Sequence, residues 1–484
     1  MKKQLKSKKY GLFEAPSLSD AKMRKKHDIE NIIFSIDPKY KNIGINKTYM
    51  VKTYGCQGNI ADSEKICGIM DTLGFVEVFE EKDADVLFLN TCAIRENAEN
   101  RIYGELGRLY PLKVKNSNML IALCGCMPQE EVTIKNIKEK YPQVDIVFGT
   151  HNIYKIPSYI YEAYSDKKRV LEVFSYEGDI VEGIPLKRNS KTKAWVDIMY
   201  GCDEFCTYCI VPYTRGSERS RESKAIIEEV KKLVSEGYIE VTLLGQNVNA
   251  YGKDFKDVKY TFANLLEDLA KTGIKRIRYT TSHPRDLDKE TMDVMAKYDN
   301  IMPHLHLPVQ SGSNEILKKM NRKYTKEMYL EKIEYLRKVI PNISLTTDLI
   351  VGFPNESEED FEETLDLVRK AKFEGAYTFI YSRRKGTPAA TYDNQIDPFT
   401  SKKRLLTLNK LINEGFAYGN KRFENEVVEV LVEGYSENKE HLLCGYTKNN
   451  KLVNFEGSEE LIGKLVNVKI TKAFTWHLRG ELVD

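Results

Sequence analysis

Two textures alternate along this chain. Short apolar runs give way to stretches where apolar side chains recur every three or four positions, and the change between them marks out blocks. From Lys47 three β-rich runs each end in cysteine: Tyr49 to Cys56, Asp85 to Cys92, and Met119 through Cys124 to Cys126. Between them lie helical patterns such as Ile60, Ile66, Cys67, Met70 and Leu73 on one face. This strand–helix–strand order predicts a parallel sheet, which a fourth strand, Val144 to Phe148, closes. The polar, basic segment Lys187 to Lys193 reads as a linker. After it come six strand-like runs: Ala194 to Tyr200, Ile239 to Val248, Ile274 to Ser282, His304 to Gln310, Ser344 to Val351 and Ala376 to Ser382. Each gap carries an amphipathic helix, the first with Ile226, Ile227, Val230, Leu233 and Val234 on one face. Six such units fall short of the eight strands and about 250 residues of a closed barrel, so an open, partial (β/α)6 barrel is expected.

A helical connector, Thr400 to Phe423, leads into five short strands: Glu426 to Val432, His441 to Tyr446, Lys451 to Phe455, Leu465 to Thr471 and Trp476 to Leu482. Their number and spacing suit a small OB-like β-barrel. The fold class is therefore α/β multidomain: an extension over 1–47, a parallel α/β domain over 48–165, the partial barrel over 188–418 and the small β-barrel over 420–484. The extension is basic at first and holds one helical pattern, around Leu18 to Ile33. It reads as a solvated extension or as an RNA-contacting tail.

Composition narrows the partners. At 484 residues with 42% hydrophobic and 30% charged residues, the chain has material for several buried cores. No run approaches the ~20 apolar residues that span a bilayer, and no membrane partner is expected. A net charge of +3 does not by itself announce nucleic acid. Nor does the small barrel, with nine Lys and Arg against eleven Asp and Glu between 420 and 484. Nine cysteines, an odd number unevenly spread, fit metal or redox chemistry in a reducing, cytoplasmic setting better than a disulfide framework.

Three of those cysteines, Cys202, Cys206 and Cys209, stand at C-x3-C-x2-C spacing in Tyr200-Gly201-Cys202-Asp203-Glu204-Phe205-Cys206-Thr207-Tyr208-Cys209. A short loop at this spacing turns three sulfurs toward one point the size of an iron–sulfur cube and leaves one iron open. Zinc is the competing reading, but a structural zinc site takes four ligands and no fourth Cys or His lies near the loop. The loop follows the first barrel strand, so it belongs on the face where barrel active sites sit. The other strand ends should face it, which makes Gly245, Gln246, Ser282, Gln310 and Asp348 candidate cofactor contacts beside Tyr208 of the loop itself. Ordinary turn chemistry is their alternative. Arg215 and Arg219 after the loop, and Arg383 and Arg384 after the sixth strand, place cations near the same rim, as phosphate contacts or as a solvated edge.

Parallel strands share the edge at their carboxyl ends, so Cys56, Cys92 and Cys126 converge although they are 36 and 34 residues apart. Buried core thiols are the alternative. Cys124 lies within its apolar run whereas Cys126 follows a Gly at the end, which favours Cys126; Cys67 and Cys444 read as packing.

From about residue 48 to the end the chain resembles the radical S-adenosylmethionine (SAM) methylthiotransferases, with a methylthiotransferase domain, a radical-SAM partial barrel and a TRAM domain. The resemblance rests on the three-cysteine loop with Tyr208 before its last Cys, and on Thr53-Tyr54-Gly55-Cys56-Gln57-Gly58-Asn59, Asn90-Thr91-Cys92-Ala93-Ile94-Arg95-Glu96 and Gly125-Cys126-Met127-Pro128-Gln129. It rests further on Cys209 to Gly216, Gly245 to Tyr251 and Val453-Asn454-Phe455. These are similar to the branch that modifies isopentenyladenosine in tRNA; the Gly-Cys-Pro-Lys-Asn start of the ribosomal-protein branch is absent. Arg383 stands where the family's Tyr-Ser-Pro-Arg-x-Gly-Thr motif has Pro. The resemblance implies two 4Fe-4S clusters, one on Cys202, Cys206 and Cys209 that binds SAM and an auxiliary one on Cys56, Cys92 and Cys126. It implies tRNA as substrate, a sulfur donor, and an electron donor such as flavodoxin or ferredoxin. Relatives acting on threonylcarbamoyladenosine or a ribosomal protein, and a non-catalytic Fe-S sensor that binds RNA, are the alternatives.

Overall fold

The computed structural model describes residues 31–93, 96–173, 179–256, 259–436 and 439–483. Most of the expected helix around Leu18 to Ile33 lies outside these residues. Its last three, Asn31–Ile33, form instead a strand paired in parallel with Ile180–Glu182.

The first domain is a six-stranded, wholly parallel sheet in the spatial order Val76–Glu77, Thr48–Tyr54, Val86–Thr91, Leu120–Gly125, Ile146–Phe148, Val170–Glu172. Every residue of Val86–Thr91 and Leu120–Gly125 is buried, as expected of central parallel strands covered on both faces. Helices Gln57–Thr72 and Ile156–Ser165 supply one core and Glu96–Lys115 and Glu131–Lys140 the other. The sheet has two strands more than expected. Val76–Glu77 is too short to display alternation, and Val170–Glu172 lies beyond the anticipated end at 165.

Six parallel strands build the second domain: Lys193–Asp197, Glu240–Leu244, Arg276–Tyr279, His304–His306, Ser344–Val351 and Gly375–Ile380. They pair in parallel as two groups of three, joined across the seam by a bridge between Ile277 and Ile301. Their helix-facing side chains form the largest core, including Val196, Val241, Leu243, Ile277, Leu345 and Leu349. The segment read as a linker is docked: the Arg188 guanidinium bridges Glu64 at 3.1 Å and Glu229 at 2.7 Å.

Helix Pro398–Lys421 leads to a closed five-stranded barrel of strands Val427–Ser436, Lys439–Thr447, Leu452–Phe455, Leu478–Val483 and Leu465–Ala473 in that order. This barrel stops the amino-terminal end of the partial barrel. Arg276, fully buried, donates to the Tyr446 and Glu429 carbonyls, and Arg278 donates to those of Thr447 and Lys448. Among the described residues no helix is long and apolar enough to cross a membrane.

Candidate functional site

The loop after the first barrel strand is shaped by backbone that ordinary residues avoid. Gly201 has φ +77°, and a Cβ there would lie 2.0 Å from the Ser217 carbonyl oxygen; Phe205 is held at φ 47°. Gly201 N donates to Gln246 Oε1 at 2.5 Å and Cys202 N to the Gly216 carbonyl at 3.0 Å. Asn321 Nδ2 ties down the Glu204 and Phe205 carbonyls from outside. On this frame Cys206 comes close enough to Cys202 and Cys209 to oppose their ionisation. Burial and then Cys206 hold the Cys202 thiol well above its usual range, and burial with Cys206 pushes Cys209 up to about 12. Arg322 Nη1 donates to Cys206 Sγ at 3.3 Å, with the guanidinium anchored on the Pro308 carbonyl and the Tyr324 hydroxyl.

The three strand-end cysteines lie at the carboxyl edge of the first sheet. Cys56 is the residue before helix Gln57–Thr72, and its N–H is held by Asn59 Oδ1 at 3.3 Å. Asn59 Nδ2 in turn reaches Asn90 Oδ1 and the Thr91 carbonyl, which also accepts from Cys126 N at 2.8 Å. One amide thus links all three strand ends. The Cys56 thiol is drawn down to about 5, chiefly by a hydrogen bond with Cys92; burial opposes this, and Arg215 and the helix N–H groups of Asn59 and Gly58 assist it. Cys124 points elsewhere, its Sγ donating to the Leu89 carbonyl at 3.7 Å inside the core.

One strand-end thiol meets the barrel's cysteine loop across the domain interface. Cys126 and Ala93 pack directly on Phe205, Ile210 and Tyr213 of the barrel loop. Thr150 Oγ1 donates to the Thr214 carbonyl at 3.1 Å, and Lys65 pairs with Asp197 at 2.6 Å.

Three of the four arginines expected at the rim are buried rather than solvated. Arg215 and Arg219 are buried and line an interdomain pocket with Asp62, Lys65, Thr150 and Tyr200. Arg384 is buried as well. The reason is local: the single helical turn Val211–Thr214 and the strand Arg219–Ser220 carry the chain back between the domains. Arg383 alone of the four is exposed, its guanidinium on the Ala390 carbonyl at 2.7 Å.

The candidate cofactor contacts divide. Ser282 is buried with its Oγ unpartnered, a group free to meet a ligand. Gln310 adopts φ 71°, and its backbone is spent on Asp348 and Ile350. Asp348 Oδ1 lies 3.3 Å from His306 Nε2. The Gly245 carbonyl accepts from Thr281 Oγ1, the Gln246 side chain braces the cysteine loop, and Tyr208 packs on Ile316, Met320, Phe353 and Ala389.

Motif reading passed over a buried polar knot beside the cysteine loop. Glu204, His283 and Asp286 have ligand atoms all within 4.8 Å of one another. Burial pushes the Glu204 carboxyl up, while burial and Arg322 push His283 well down. Asp286 is already occupied by Asn247 Nδ2 at 2.6 Å, Arg285 Nε at 2.9 Å and Lys253, a cationic setting that opposes a further metal cation. Among the described residues neither thiol trio is drawn as tightly as this knot. Thiolates on a single zinc sit about 3.8 Å apart, from Zn–S bonds of about 2.3 Å, so the wider trios suit a cluster.

The chain matches three family models: the Radical SAM superfamily over residues 196–368, an uncharacterized protein family, UPF0004, over 48–149, and the TRAM domain over 421–483. Among solved structures it is similar in fold to the radical S-adenosylmethionine methyltransferase TsrM from Kitasatospora setae. The TM-score is 0.52 at 13% identity, covering 71% of this chain and 77% of that one. It is 54% identical to the tRNA-2-methylthio-N(6)-dimethylallyladenosine synthase of Bacillus cytotoxicus, over 98% of this chain and 93% of that one. Its identity to the synthase of the same name from Bacillus subtilis is also 54%, over 97% and 92% of the two chains. The chain belongs to the family of radical-SAM tRNA-2-methylthio-N(6)-dimethylallyladenosine synthases.

Proposed function

We propose that the chain adds a methylthio group to C2 of N6-dimethylallyladenosine next to the anticodon of tRNA, using SAM and two 4Fe-4S clusters. The observation that carries this reading is the apposition of two separate thiol trios across one interface, with Cys126 packed on the barrel loop residues Phe205, Ile210 and Tyr213. Cys202, Cys206 and Cys209 would hold the SAM-binding cluster, and Cys56, Cys92 and Cys126 the auxiliary one. When bound, one SAM would supply the methyl group for the sulfur presented at the auxiliary site, and a second SAM, reduced at the cluster on Cys202, Cys206 and Cys209, would supply a hydrogen-abstracting 5′-deoxyadenosyl radical with methionine as the leaving group.

The residues of the chain supply position and exclusion of water. Arg322 donates a hydrogen bond to the Cys206 sulfur, while Gln246 and Asn321 fix the loop so that its sulfurs keep one geometry. The apolar contact of Ala93, Phe205, Ile210 and Tyr213 shields the space beside Cys126. At the barrel mouth, Ser282 Oγ, Asn247 Oδ1 and Asn249 Nδ2 are buried without partners, and they offer hydrogen bonds to SAM or to the adenine. That base must leave its stack to enter. In this reading Arg383 and the TRAM barrel would hold the tRNA backbone. A sulfur donor and a one-electron donor such as flavodoxin or ferredoxin complete the cycle in the cytoplasm.

The deciding experiment is iron and acid-labile sulfide content of the anaerobically reconstituted protein beside a Cys56/Cys92/Cys126→Ala variant. About eight irons should fall to about four. An unchanged count would reduce those cysteines to packing. Nucleoside analysis of dimethylallyladenosine-bearing tRNA then separates this substrate from threonylcarbamoyladenosine. Absence of 5′-deoxyadenosine with dithionite and SAM would instead support a sensor without turnover.

A further inference from the structure

One buried side chain joins the two thiol groups. Arg215 follows the turn Val211–Thr214, six residues after Cys209, so it belongs to the barrel's cysteine loop. Its guanidinium nevertheless lies in the other domain's site. Nε donates to Cys126 Sγ at 3.3 Å and Nη2 to Asp62 Oδ2 at 2.9 Å. Cys56 is beside it as well: a Cβ on Gly58 would stand 3.6 Å from both Arg215 Nη2 and Cys56 Sγ. Arg215 is 8% exposed, and Asp62 is buried on the helix that starts after Cys56.

A buried guanidinium needs negative charge around it. Asp62 supplies one carboxylate, and two thiolates of the proposed auxiliary site supply more. The placement has two consequences. It fixes the spacing between the thiol trios, because the same ten-residue stretch carries Cys206, Cys209 and the cation that grips Cys126. It also offsets negative charge at the auxiliary thiolates, as hydrogen bonds and charges around cluster sulfurs generally do. We propose that Arg215 is a positioning residue of the auxiliary cluster, docking the barrel loop onto Cys56 and Cys126 and holding that cluster's reduction potential up, with Asp62 as its counterweight. This rests on the two-cluster reading above.

The test uses the full chain, reconstituted anaerobically in a Cys202/Cys206/Cys209→Ala background so that only the auxiliary site is loaded. Its midpoint potential is followed by EPR-monitored redox titration. Arg215→Gln should shift the potential negative, Arg215→Lys should recover part of the shift, and Asp62→Asn should shift it positive. A packing role predicts no such opposition of sign. Unchanged potentials, or shifts of the same sign in Arg215→Gln and Asp62→Asn, overturn the proposal. Should Arg215→Gln fail to hold iron, Asp62→Asn decides alone: a positive shift sustains the assignment and no shift removes it. The two-cluster reading fails separately, if the background protein takes up no iron at all.

Discussion

Replacing Arg276 by Met should release the TRAM barrel from the partial barrel while leaving both intact. Met keeps much of the apolar stem and removes the charge and the donors. In the wild-type chain the guanidinium, fully buried, gives hydrogen bonds of 2.9 Å to the Tyr446 carbonyl, 3.1 Å to the Glu429 carbonyl and 2.9 Å to Glu429 Oε1. Its loss leaves two carbonyls without these donors, and Glu240 keeps only Arg278, at 3.0 Å, of its two arginines. Breaking a buried charge network by removing one partner costs roughly 3–5 kcal/mol. The unpartnered Arg276 Nε lowers the net loss toward the bottom of that range. At 1.4 kcal/mol per factor of ten, about 3 kcal/mol moves the docked-to-undocked ratio by about a hundredfold. Amide hydrogen exchange reads this directly, as faster exchange across Gly445–Lys451 with the central sheet strands unchanged. Arg278→Met should produce the same pattern more weakly. Exchange in the turn as slow as in the wild type would refute the view that these arginines carry the docking.

Gly201→Ala places a Cβ against the Ser217 carbonyl at positive φ, so roughly 1–3 kcal/mol of strain falls on the cysteine loop; reconstituted iron should drop by about half, with 5′-deoxyadenosine formation lost. Cys124→Ala should keep its full iron content and lower only the thermal midpoint, whereas Cys126→Ala should lose the auxiliary iron, which elemental analysis distinguishes. Burial and then Asp203 push the Glu218 carboxyl up to about 7 from 4.5. The folded form then holds its proton more tightly, so this contribution is fully present below about pH 4.5 and is lost as pH rises through about 7. The loss is about 3 kcal/mol, visible as a falling urea midpoint that Glu218→Gln should flatten.

The strand-end cysteines were legible because parallel strands end on one edge, so residues far apart in sequence become neighbours by topology alone. The barrel strands were legible for a related reason: each run is long enough to show its apolar face. Val76–Glu77 is not, and its place depends on pairing with Thr48 and Tyr49 rather than on any pattern of its own. Charge misled more than hydropathy did. Lys187 to Lys193 has the composition of a solvated linker, yet Arg188 lies between Glu64 and Glu229. Arg215, Arg219 and Arg384 look like rim cations because arginine is usually exposed; Arg215 is buried against Asp62 and Cys126 of distant segments, and Arg219 against the nearby Arg215 and Ser217 carbonyls. The Glu204–His283–Asp286 knot escapes motif reading because only His283 and Asp286 share a loop, and Glu204 reaches them from the cysteine loop that the barrel brings alongside.

Helix Gln57–Thr72 begins at one thiol and then presents Asp62, Glu64 and Lys65 to Arg215, Arg188 and Asp197 of the neighbouring segments. The first domain is therefore not an interchangeable cartridge. A chimera that grafts it onto another partial barrel would inherit three unanswered buried charges unless their partners travelled with it. Recombination in this family is expected to respect that seam, with viable grafts breaking the chain on the far side of Arg221 rather than in the polar stretch near residue 190.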